Sequence, residues 1–114
     1  MAGDCVFCRI VTGSLSARTV HEDEYALAFK DLNPAAPTHL LVVPKKHIPC
    51  LADSSDEDQA LLGHLQRVIA KVAREAGVEE AFRVALNNGR GAGQTVDHLH
   101  YHVLAGRRMA WPPG

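Results

Sequence analysis

The sequence predicts an α+β domain, an antiparallel sheet with one long helix laid on it. Two observations carry this. Short apolar or alternating runs bounded by Gly, Pro, Asn and Asp recur at Thr19–Glu22, Tyr25–Lys30, His39–Val43, Phe82–Asn87 and Asp97–Leu104. One long helical pattern, about residues 56–76, stands between the third and fourth runs, with Leu61, Leu62, Leu65, Val68, Ile69 and Val72 on one face. Strand–strand–strand–helix–strand–strand is the element order of a helix packed on an antiparallel sheet. With 114 residues, the chain is long enough for one core, and residues 1–114 read as a single domain.

Taken in order, residues 4–12 fit a short helix with Asp4 as cap and Val6, Phe7, Ile10 and Val11 as its apolar side; Gly13 ends it. A tight turn around Asp23 joins the first two strands. Asp31-Leu-Asn-Pro-Ala-Ala-Pro37 is turn chemistry. His39–Val43 is a β-branched apolar run stopped by Pro44, the expected central strand. Asp53-Ser54-Ser55 precedes the long helix, and Gly77 follows it as a left-handed C-terminal residue. The loop Asn88-Gly-Arg-Gly-Ala-Gly93 lacks the Lys-Ser/Thr ending of a Walker motif and leads into a strand, so it reads first as a hairpin connection. Its place just before Gln94 and Thr95 gives it a second reading. Gly93 and its neighbours let backbone N–H groups approach an anion, and Thr95 adds a hydroxyl.

Composition narrows the function classes. Apolar residues make up 46% and charged residues 22%, with a net charge of -1 and no basic run, which argues against long nucleic acid as a partner. No segment approaches the ~20 apolar residues of a membrane span, and no export signal is legible, so a cytoplasmic protein is expected. Three cysteines without an export signal argue against a disulfide framework. Cys5-x-x-Cys8 is open to three readings: a redox pair, buried thiols, or half of a zinc site completed by histidines such as His47. Cys50 is read as a packing or surface thiol, Lys45 and Lys46 as solvated, and His21 and His64 as surface residues.

The chemistry concentrates in Asp97-His-Leu-His-Tyr-His-Val-Leu104. Strict alternation places His98, His100 and His102 on one strand face, about 6.6 Å apart, and Leu99, Tyr101 and Val103 on the other. Three titratable rings on an otherwise apolar strand have a desolvation cost that a purely structural role does not offset. His39 opens the central strand and can reach the same groove. Asp31, at a strand end, is a turn carboxylate or an acceptor for two sugar hydroxyls.

These residues resemble the histidine-triad (HIT) superfamily, whose signature His-φ-His-φ-His-φ-φ reads here His98-Leu-His100-Tyr-His102-Val-Leu104. Ala28-Phe-Lys-Asp-Leu-Asn-Pro34, Ala36-Pro-Thr-His-Leu-Leu-Val-Val-Pro-Lys-Lys-His47, Leu61-Leu-Gly-His64 and the tail Trp111-Pro-Pro-Gly114 are similar to its Hint branch, the purine nucleoside phosphoramidases. The resemblance implies a five-stranded antiparallel sheet with a short and a long helix, paired into a homodimer with a continuous ten-stranded sheet. It implies hydrolysis of AMP–NH2 or AMP–lysine through a nucleotidyl-His100 intermediate. His102, Thr95 and Asn87, with Gly93 and Gln94, would meet the phosphate oxygens of a purine nucleotide. Asp31 would take the ribose, beside Leu32. Val6, Phe7, Ile10, Leu15 and Leu41 would line the base pocket, and His39 would assist proton transfer. Bacterial members of this type carry the Cys-x-x-Cys pair, so Cys5, Cys8, His47 and His98 match a structural zinc site. Ala110 departs from the polar residue common before the tail Trp, where the tail reaches the partner's site. The alternatives are a dinucleoside polyphosphate hydrolase of the Fhit type, or a nucleotide- or zinc-binding regulator with residual chemistry.

Overall fold

The computed structural model describes residues 4–114. The elements are α1 (Val6–Val11), β1 (Thr19–Glu22), β2 (Ala26–Lys30), β3 (Thr38–Pro44), α2 (Gln59–Glu75), β4 (Phe82–Leu86) and β5 (Tyr101–Ala105). The strands form one antiparallel sheet in the order β1-β2-β3-β5-β4. This is the expected α+β architecture.

The sheet is covered on both faces, which is why β2 and β3 read as continuous apolar runs. Ala26 and Ala28 on β2, with Leu40 and Val42 on β3, meet Leu65, Val68, Ile69 and Val72 of α2. Small alanines let the helix approach the strand closely. The intervening residues Leu27, Phe29, Leu41 and Val43 face the other way and bury Phe7, Cys5 and Cys8 of the α1 segment. Alternation along two strands thus builds two cores. The triad lies with the second core, because Leu99, Tyr101 and Val103 join the first.

Three local expectations are corrected. Regular pairing in the histidine segment starts at Tyr101, so His98 and His100 precede the strand; the Leu99 N–H bonds the Ile48 carbonyl instead (2.7 Å), beyond the end of β3. The in–out alternation nonetheless runs through the whole segment. The cap of α1 is Cys5, not Asp4: the Cys5 thiol accepts the Cys8 N–H at 3.3 Å while Asp4 is exposed. Lys46 is not simply solvated, since its ammonium meets the buried Asp58 carboxylate at 2.6 Å, and Asp58 also accepts the Ser55 N–H at 2.9 Å. Among the described residues no helix is long and apolar enough to cross a membrane.

His21 and His64 depart furthest from expectation. Both rings bond one oxygen of Asp23, at 2.7 and 2.8 Å, while its other oxygen accepts the Tyr25 and Ala26 N–H groups at 2.8 and 2.9 Å. Asp23 therefore fastens the β1–β2 turn to α2. Burial works against its ionisation, but the bonds from His21, Tyr25, His64 and Ala26 outweigh it and hold the carboxyl well below the usual carboxylate range. A depressed folded pKa gives stability that is complete above the unfolded value, about 3.9, and is lost as pH falls below it. Asp23→Asn is expected to lower the thermal midpoint at pH 7 by several degrees, on the order of 1–3 kcal/mol. Calorimetry across pH checks this: the gap from the unsubstituted protein should narrow below about pH 4.

Candidate active site and metal cluster

The site forms where β3, β5 and the segment before β5 converge beneath α1. His100 is 6% exposed, and its Nδ1–H donates to the His98 carbonyl at 2.7 Å. That bond fixes the tautomer: Nε2 carries the lone pair. Phe7 packs edge-on against the His100 ring (centroids 5.1 Å apart), and the His102 ring lies 5.0 Å away.

A second chain of bonds fixes the other rings. The Ala35 N–H donates to His39 Nδ1 (3.0 Å), so His39 carries its proton on Nε2 and donates it to His102 Nδ1 (2.8 Å). His102 is left as the Nε2–H tautomer, a neutral donor. Burial, with His100 and His39 nearby, pushes its pKa down to about 4, so it stays neutral near pH 7. Asp31 lies 3.4 Å from His39 Nε2 and accepts the Asn33 N–H at 2.8 Å. Asp31, His39 and His102 lie close enough to hold an ion, but the 2.8 Å ring-to-ring bond already accounts for that approach.

Residue 98 turns its ring away from this relay. His98 is fully buried, and its Nε2–H donates to the Pro44 carbonyl at 2.8 Å. Nδ1 therefore presents a lone pair to Cys5 Sγ at 3.2 Å and Cys8 Sγ at 3.5 Å; His47 Nδ1 lies 3.2 Å from Cys8 Sγ. The four donor atoms lie within 4.8 Å of one another. A tetrahedral ion with ligands at about 2.0–2.3 Å needs donors spaced in this way. Burial pushes His98 down to about 4, which keeps it a neutral ligand. Burial and the neighbouring Cys5 raise Cys8 to about 11, so Cys8 keeps its proton near pH 7. Two sulfurs and two imidazoles suit zinc.

The remaining expected residues separate. Asn87 is half-buried beside Gly93, whose φ of +96° needs glycine. Thr95 is exposed, its carbonyl held by Arg90 at 2.9 Å. Gln94 is corrected: it is a brace, not an anion contact. Its amide donates to the Pro49 and Val96 carbonyls (2.7 and 2.9 Å) and accepts the Gly89 N–H (2.8 Å), while its own N–H bonds the Gly89 carbonyl. Phe7 and Leu41 are buried beneath the histidines, with Val6 and Ile10 half-buried against them. Leu15 lies outside that cluster, and Leu32 is 87% exposed. Asp31, Leu32 and His39 border a cavity of about 720 Å³. What sequence reasoning missed were backbone acceptors, the His98 and Pro44 carbonyls, for which no side-chain pattern exists. Gln94→Leu is expected to destabilise the fold by about 1–2 kcal/mol by removing the three hydrogen bonds of a buried amide, read as an earlier denaturation midpoint at unchanged slope.

The comparisons agree with this geometry. The family model described as "Scavenger mRNA decapping enzyme C-term binding" matches residues 4–110. An uncharacterized HIT-like protein of Synechocystis is 49% identical over 114 residues, covering 100% of each chain. Among solved structures, a HIT family hydrolase from Legionella pneumophila superposes with a TM-score of 0.95 at 46% identity, over 97% of this chain and 100% of that one. A histidine triad protein from Clostridium difficile gives 0.90 at 48% identity, over 94% of each. The sheet order, the alternating histidines and these matches together establish that the chain belongs to the histidine-triad (HIT) family of hydrolase-like proteins.

Proposed function

We propose that the protein is a nucleotide-binding hydrolase that cleaves the P–N bond of purine nucleoside 5′-phosphoramidates through a covalent nucleotidyl-His100. The observation that carries this is the 2.7 Å bond from His100 Nδ1 to the His98 carbonyl, which in the neutral ring leaves Nε2 as the bare, nucleophilic nitrogen. In the first half-reaction Nε2 attacks the α-phosphorus, the P–N bond breaks, and the departing amine takes up a proton from solvent, while His102 keeps its Nε2–H on a phosphate oxygen. In the second, water attacks phosphorus, the P–Nε2 bond breaks, His100 leaves as the neutral ring, and the water's proton passes to solvent. His39 holds His102 in the donor tautomer. Donors to the phosphate oxygens would supply the largest electrostatic share: the side chains of His102, Thr95 and Asn87, with Gly93 leaving room for the anion to approach. Asp31 and Leu32 serve the ribose, and Val6, Ile10 and Leu15 the base, with Phe7 and Leu41 behind them.

Cys5, Cys8, His47 and His98 would hold a structural zinc ion; closed by four protein ligands, it would supply rigidity rather than an activated water. A homodimer with a ten-stranded sheet is supported by β4, whose outer edge has no strand partner among the described residues and exposes Val84 by 40%.

Adenosine phosphoramidate is expected to turn over faster than diadenosine triphosphate. His100→Ala should lower kcat on the order of 10³-fold or more. Faster cleavage of the dinucleotide would support the polyphosphate hydrolase instead, and turnover surviving in His100→Ala would reject the covalent route. Metal analysis separates the two clusters: Cys5→Ser should lose zinc, and His100→Ala should retain it.

A further inference from the structure

On the face of the sheet opposite the triad, at the β1 edge, lies a second cleft. It occupies about 460 Å³ between the β1–β2 turn and α2, and its walls include His21, Asp23, His64, Arg67, Lys71 and Arg74. The helix contributes four of these at positions 64, 67, 71 and 74, a single stripe at helical spacing. No basic run is visible in the linear sequence; the helix creates the stripe by aligning residues three and four apart.

The charges in this cleft do not cancel. Arg67, Lys71 and Arg74 are exposed, and none belongs to an ion pair among the described residues. Asp23 is the one carboxylate of the cleft, and four donors already occupy it. Across Gln59–Glu75 the only acidic residue is Glu75, which borders a different cavity. Arg74 in the last turn also complements the helix dipole, but Arg67 lies mid-helix, where Lys71 at i+4 opposes it. Val68 and Ala70 keep the floor small and apolar.

We propose that this cleft binds a small polyphosphate anion, a chain of two or three phosphates free or carried on an organic group. The length argues for a chain over a single phosphate: Arg67 and Arg74 are separated by about 10 Å along the helix at about 1.5 Å per residue. Guanidinium groups meet phosphate oxygens bidentately, and the lysine adds a point charge. The cleft is at the opposite edge of the sheet from β4, so pairing of two chains along β4 leaves it open. The inference does not rest on the proposed hydrolysis.

Titration calorimetry of the full chain with sodium tripolyphosphate and with orthophosphate tests it. Tripolyphosphate should bind saturably and at least tenfold more tightly than orthophosphate. The double variant Arg67→Gln/Lys71→Gln should bind at least tenfold more weakly with an unchanged thermal midpoint. Amide shifts on titration should cluster at residues 64–74 and Asp23. Absent saturation, equal affinity for orthophosphate, unweakened binding in the double variant, or shifts centred on Thr95–His102 would each overturn the proposal.

Discussion

One hydrogen bond organises the candidate site: the imidazole N–H of His100 on the carbonyl of His98, at 2.7 Å. Residue 98 faces two ways through it. Its ring closes the Cys5–Cys8–His47 cluster, and its backbone fixes which nitrogen of His100 is unprotonated. Phe7 reinforces the link, with its ring edge-on to His98 and His100 at centroid distances of 5.9 and 5.1 Å. Any shift of α1 therefore reaches both the Cys5 and Cys8 thiols and the proposed nucleophile.

A two-faced sheet makes this possible. β3 pairs with both β2 and β5, so Leu41 opposes His102 in the ladder while Leu40 and Val42 face α2. The central strand is buried on both sides and fixes the register; a one-residue slip would exchange the histidines with Leu99, Tyr101 and Val103. The bond chain from Ala35 through His39 to His102 depends on the same register, since His39 lies opposite Leu104, two residues on from His102. Burial keeps His98 and His102 neutral, so the cluster functions as donors and lone pairs rather than as charges.

The period-two pattern at 98–104 and the helical stripe of α2 made the fold legible, because both report which side chains leave water. The side-chain chemistry of the site was legible for the same reason: histidines on an apolar strand and a Cys-x-x-Cys on a short helix are conspicuous. What was not legible depends on partners distant in sequence. His21 and His64 show no pattern until Asp23 stands between them, and Lys46 looks solvated until Asp58 is folded against it. Gln94 resembles an anion contact because it adjoins a glycine loop, yet three backbone partners claim its buried amide. Backbone carbonyls such as those of His98 and Pro44 are invisible to residue-type reasoning altogether.

The central claim is the tautomer of His100. Nitrogen-resolved NMR of histidine-labelled protein at neutral pH reads it directly. The account predicts that His100 carries its proton on Nδ1 and leaves Nε2 bare. A His100 ring protonated at Nε2, or one whose Nε2 binds a metal, would contradict it.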